Sequence, residues 1–216
     1  TAQARAASLY EALGEPERAV EHLVEFARDT PNFSAELNTA AAEILARHDQ
    51  PDRALEMLNN VLTSQPDNRS ARFARAFLYE DLDQVDASIA ELRKLLKEQP
   101  DDSVALNALG YTLVDRTSRY REGYRLIRKA LQLDPNNPAI IDSMGWAEYR
   151  RGNLDDAITY LERAYVLVRD PEIAAHLGEV LYVQGQTEQA LEIWEQALSE
   201  NPEAKVLREV MQKFGQ

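Results

Sequence analysis

Small side chains return along this chain at a nearly constant interval, and no other feature restricts its folding as severely. Ala7, Ala42, Ala76, Gly110, Gly145 and Gly178 are separated by 35, 34, 34, 35 and 33 residues. A second small series, Ala19, Ala54, Ser88, Gly123, Ala157 and Ala190, follows 12 or 13 residues behind each member of the first. Prolines 31, 66, 100, 135 and 202 close successive segments, and Arg169 stands where the fifth proline is due. A period of this size marks a stack of supersecondary units, each too small to bury its own apolar face.

The glycines need a physical reason, because each sits inside a helical pattern. Glycine in a helix interior costs roughly 1 kcal/mol relative to alanine, so it persists where a side chain would obstruct something worth more. Two antiparallel helices approach to about 8 Å only where their crossing carries little side chain. Gly145 on a first helix is therefore expected to face Ala157 on a second. Leu109, Met144 and Leu177 before the glycines, and Ile127, Leu161 and Trp194 along the second helices, should interlock around the crossings.

Turn chemistry sets the boundaries. The segments SQPDN, EQPDD, DPNNP and ENPEA each combine a helix-ending proline with acidic or amide residues suited to cap the next helix. Gly14, Gly152 and Gly185 fall at the close of first helices, where a left-handed residue is needed. One array over residues 1–216 is expected, with units at about 1–34, 35–68, 69–102, 103–137, 138–170 and 171–204. An extra residue in DRTSRYRE should distort the fourth turn. Leu207, Val210, Met211 and Phe214 share one helical face, which predicts a capping helix at about 203–214. No comparable cap precedes the first unit. The chain enters helical periodicity directly after Thr1, so a longer native array upstream is the expectation.

Charge and composition narrow the function. The 216 residues carry a formal charge of −13, with 24 Lys and Arg against 37 Asp and Glu. Such a field repels nucleic acid and anionic lipid and steers basic partners inward. No apolar run approaches a membrane span, and direct membrane contact by this segment is not expected. With no cysteine, thiolate catalysis, disulfides and Cys-based zinc sites are excluded. His22, His48 and His176 lie in different units without a metal-ligand spacing, and the glycines are already accounted for at crossings and turns. We therefore expect no enzyme, no metal and no cofactor. Arg69, Arg72 and Arg75 form a basic stripe, read most simply as a solvated face and otherwise as a docking patch.

The spacing and residue types resemble the tetratricopeptide repeat family, closely in ALNALGYTLVD, IIDSMGWAEYRRGNLDDAITYLERA and IAAHLGEVLYVQGQTEQALEIWEQAL, and more loosely in the first three units. The resemblance implies an all-α fold, a right-handed superhelical α-solenoid of stacked helix-turn-helix repeats. It also implies that the residue after each small slot of a first helix faces a concave groove: Ser8, Glu43, Phe77, Tyr111, Trp146 and Glu179. Adding the other turns of that face gives a candidate partner-binding set of Phe73, Phe77, Asn107, Tyr111, Asp142, Trp146, Tyr149, Arg150, His176, Glu179 and Tyr182. Rigid aromatics with a few polar groups are the usual make-up of binding hot spots. The same rings could instead pack one repeat on the next, and the sequence leaves both roles open. A chaperone-tail clamp is disfavoured, because only Arg150 on this face is basic.

From Leu106 to Phe214 the chain is similar to the carboxyl-terminal part of exported proteobacterial lipoproteins with tetratricopeptide repeats. The nearest of these are periplasmic adaptors that activate a carboxyl-terminal processing protease and present peptidoglycan hydrolases to it. That resemblance implies a protein or peptide partner, a protease and its substrates among them. It also implies a periplasmic location with the full-length protein anchored to the outer membrane. The alternative is a structural spacer or assembly module of an exopolysaccharide export or other envelope complex. Weak self-association through an uncapped first unit is a further expectation.

Overall fold

The computed structural model describes residues 2–215, so the expectation resting on Thr1 lies outside the described residues. Among them the chain forms thirteen α-helices and no strand: α1 (Ala2–Ala12), α2 (Pro16–Asp29), α3 (Ser34–Arg47), α4 (Pro51–Ser64), α5 (Arg69–Asp81), α6 (Val85–Glu98), α7 (Ser103–Asp115), α8 (Tyr120–Leu133), α9 (Pro138–Arg150), α10 (Leu154–Leu167), α11 (Pro171–Gln184), α12 (Thr187–Glu200) and α13 (Lys205–Lys213). A 3-10 turn over Pro31–Phe33 precedes α3. The helices fall into two compact units, Thr1–Glu98 and Gln99–Gln216.

Within each unit consecutive helices pair as hairpins around small residues. Gly110 and Gly123 meet at the α7–α8 crossing, where a Cβ on Gly123 would stand 2.5 Å from the Gly110 carbonyl oxygen. At the next crossing Gly145 faces Ala157 and Leu161, as the spacing predicts, and at the third Gly178 lies under the Trp194 indole. The large residues between these slots, Ile127, Met144, Leu161, Leu177 and Trp194, are fully buried. In the first unit Leu23, Leu45 and Leu58 fill the equivalent space beside Ala19, Ala42 and Ala54.

Side-chain caps start the first helices of the later hairpins. Asn68 accepts from the Ala71 amide, Asp102 from Val104 and Ala105, Asn137 from Ala139 and Asp170 from Glu172. The turns inside the hairpins need a left-handed residue, and Gly152 (φ +88°) and Gly185 (φ +94°) supply it. Asp49 (φ 56°) and Asp83 (φ 59°) take the same place in the second and third hairpins. The longer turn after α7 dispenses with a left-handed residue. There the Thr117 hydroxyl donates to the Leu113 carbonyl at 2.5 Å and accepts from the Arg119 amide at 3.1 Å.

The arginine stripe on α5 is not a solvated face. Arg72 is only 7% exposed and its Nη1 donates to Glu91 Oε2 on α6 at 3.0 Å, while Arg75 Nη2 reaches the same oxygen at 3.0 Å. Lys94 holds the other oxygen at 2.7 Å. Only Arg69 keeps to the surface role, with its guanidinium 4.6 Å above the Phe73 ring. The reversal comes from Glu91, whose buried carboxylate on the neighbouring helix pulls two guanidinium groups inward.

Helix α13 packs against α11 and α12. Leu207 and Val210 are buried there with Ala174, Ala175 and Trp194, and Phe214 lies against Tyr182 at a centroid distance of 4.6 Å. No helix is long and apolar enough to cross a membrane among the described residues.

Candidate partner-binding site

The first helices of the second unit, α7, α9 and α11, lie side by side. Positions one repeat apart therefore meet across neighbouring helices. Asp142 and His176 are 34 residues apart, and His176 Nδ1 donates to both Asp142 oxygens at 3.0 and 3.1 Å. The imidazole stacks on the Trp146 indole, with centroids 4.2 Å apart and planes 23° from parallel. On its other side His176 Nε2 lies 3.4 Å from the Tyr111 hydroxyl. One ring thus ties three helices together.

A second set of bonds fixes the indole. Trp146 Nε1 donates to Asp115 Oδ1 at 3.0 Å, and Arg150 Nη1 donates to the Asp115 carbonyl at 3.1 Å. The Arg150 guanidinium also lies 5.2 Å above the Tyr120 ring. Further along, the Tyr149 hydroxyl donates to Glu179 Oε1 at 3.0 Å, and Lys213 of α13 donates to both Glu179 oxygens at 2.9 and 3.0 Å. Each bond to a carboxylate is of the stronger, charge-assisted kind. The side chains are consequently held in place rather than free to rotate.

Environment shifts the ionisation of several groups. Burial alone would lower the His176 pKa, but the carboxylates of Asp142, Glu172 and Asp115 outweigh it and hold the imidazole above its ordinary value. Burial, with the Glu179 carboxylate beside it, pushes the Tyr149 phenol up to about 12.

The residues named from the sequence do not all come together. Tyr111, Asp142, Trp146, Arg150 and His176 come together as one cluster, with Tyr149 and Glu179 adjoining through the Trp146–Tyr149 contact at 5.0 Å. Trp146 is only 7% exposed, so its ring forms the floor of the cluster while Tyr111, Tyr149, Arg150 and His176 form its half-buried upper part. Asn107 lies one turn before Tyr111, and its Oδ1 is buried without a hydrogen-bond partner among the described residues. Tyr182 belongs elsewhere, between Trp194 and Phe214 under α13. Phe73 and Phe77 belong to the first unit, where their rings stack at 6.0 Å and Phe77 is 48% exposed. Sequence reasoning missed Asp115, Tyr120 and Lys213, which lie at or beyond helix ends where the repeat register gives no signal. Among the described residues no group of three His, Asp or Glu side chains is placed to hold a metal ion.

Helical hairpins crossing at small residues, with a bonded aromatic and polar face on their first helices, define a helical-repeat scaffold. Models of the tetratricopeptide repeat match residues 45–110, 109–172 and 143–205, and the chain belongs to that family. Its members are generally non-catalytic and serve protein–protein interaction. The chain is 39% identical over 178 residues to a TPR repeat-containing protein of Pseudomonas aeruginosa, covering 82% of this chain and 30% of that protein. It spans less than a third of the length of each curated relative it matches. Among solved structures it is similar to PilW, a type IV pilus biogenesis factor, with a TM-score of 0.74, 18% identity and coverage of 97% of this chain and 96% of that one. It is also similar to a thermophilic TPR protein of Thermus thermophilus, with a TM-score of 0.73, 20% identity and coverage of 81% and 95%. These two likenesses are of fold.

Proposed function

We propose that the face of α7, α9 and α11 binds a protein segment, and that the chain is the interaction module of an adaptor. The observation that carries this reading is the convergence of Tyr111, Asp142, Trp146, Arg150 and His176 in one hydrogen-bonded cluster with half-buried edges. Aromatic groups already fixed by neighbours lose little entropy on binding, which favours them as anchors. Asp115, Asp142, Glu172 and Glu179 outnumber Arg150 and Lys213 around the cluster even with His176 charged. The excess suits a segment carrying lysine or arginine beside its apolar anchors.

The finer reading rests on resemblance. It makes the partner a carboxyl-terminal processing protease, with peptidoglycan hydrolases delivered to it, in the periplasm, the full-length protein being held at the outer membrane. Calorimetric titration of the purified protease from the same host into this chain tests it. Micromolar binding by the wild type, weakened at least about tenfold in Tyr111→Ala and Arg150→Glu with helical content retained, is the expected result. Equal binding by wild type and both variants overturns the assignment of the face, and no binding at all overturns the protease.

A second reading, a spacer of an envelope assembly, draws on the burial of Trp146 and the seating of Tyr182 under α13, both of which make rings serve stacking. On that reading neither variant changes any specific association.

A further inference from the structure

The first unit holds a cluster that partner binding on the second leaves unused. Between α4, α5 and α6 lies a cleft of about 450 Å³ whose lining includes Asn59, Thr63, Arg72, Arg75 and Lys94 and no acidic side chain. In a chain of charge −13 a cleft lined by three cations stands apart. Glu91 sits behind the lining, 6% exposed at its side chain, and Glu98 Oε1 lies 3.8 Å from Arg72. Three positive charges against these two negative ones leave a surplus of one.

Hydrogen-bond supply is unbalanced in the same direction. Each guanidinium offers five N–H groups and the ammonium three. The acceptors they meet are the two Glu91 oxygens, the Pro66 carbonyl, which accepts from Arg72, Asn59 Oδ1 at 2.6 Å from Arg75, and Glu98. Arg72 Nε and Arg75 Nε, both closed off from solvent, have no acceptor among the described residues. Buried donors are normally satisfied, so the cluster is short of oxygen. Lys94 remains about half exposed and presents its spare N–H groups at the cleft.

We propose that this cleft is an oxyanion site, taking the phosphate or carboxylate group of a small anion. Arginine and lysine together are the usual recognition chemistry for such groups, and an oxyanion at the cleft offsets the surplus positive charge and accepts from the exposed Lys94 ammonium. Glu91 acts there as an internal competitor, holding the cations oriented while leaving them undersupplied.

Titration with inorganic phosphate, and separately with succinate, at ionic strength fixed with chloride, tests this by following the backbone amides of Asn59, Thr63 and Lys94. Saturable shifts with phosphate or succinate and not with chloride are expected, and the anion that titrates identifies whether the site prefers a tetrahedral or a planar group. Lys94→Gln, at a half-exposed position that does not carry the fold, should weaken binding at least about fivefold. Glu91→Gln should bind more tightly than wild type and recover melting temperature in phosphate or succinate but not in chloride. Absence of saturable shifts with both anions, or equal affinity in wild type and Lys94→Gln, overturns the proposal.

Discussion

Trp194 passes so close to Gly178 that a Cβ on the glycine would stand 2.1 Å from the indole nitrogen. The indole is fully buried and its N–H donates to the Ala175 carbonyl at 3.3 Å, so it has nowhere to retreat. Gly178→Ala should therefore destabilise the chain by about 1–3 kcal/mol despite the roughly 1 kcal/mol gained in helix propensity. At Gly123 the obstruction is backbone, the Gly110 carbonyl, and Gly123→Ala should cost at least as much. Thermal melts of the two variants check this, and an unchanged midpoint in either sinks the crossing argument.

Protonation of His176 should stabilise the fold. Its pKa is raised in the native state, so the contribution is fully present below the unfolded value of about 6.5 and is lost as pH rises through the native one. The stability difference between wild type and His176→Gln should thus be larger at about pH 6 than at about pH 8. Denaturant melts of both proteins across this range are the measurement, and a difference that grows with pH contradicts the Asp142 pairing.

Tyr149 provides a second titration. With the phenol pushed up to about 12, its contribution should persist to about pH 10 and fade as pH approaches 12. Tyr160 and Tyr165 are also raised by burial, so ultraviolet titration should show several late-ionising tyrosines, of which the one near pH 12 disappears in Tyr149→Phe. At neutral pH the same substitution removes a hydrogen bond to a buried carboxylate and should cost about 1–3 kcal/mol.

The last helix should stabilise the second unit through a few residues. Leu207 is fully buried against α11 and α12, and Leu207→Ala should cost about 2–5 kcal/mol. Hydrogen exchange should then quicken in α11 and α12 before it does in α7.

The repeat made the architecture readable, because crossings and turns demand particular residue types. Gly145 against Ala157, the cap at Asp102 and the left-handed Gly185 all follow from that demand. Asp49 and Asp83 were harder to see as turn residues, since aspartate reaches the left-handed region without the glycine signature. The pairing of Asp142 with His176 was implicit in their 34-residue separation, the period itself. Burial of Arg72 was hidden because it depends on one carboxylate, Glu91, brought over by the neighbouring helix.

Both tryptophans of the chain lie in its second unit, Trp146 on the face shared by α7, α9 and α11 and Trp194 beneath α13. Their emission accordingly reports from the second unit, whereas far-ultraviolet dichroism sees every helix. Heating the protein while recording both signals turns that uneven distribution into a gauge of cooperativity: coincident curves mean the halves melt as one, and a lag between them dates the loss of each.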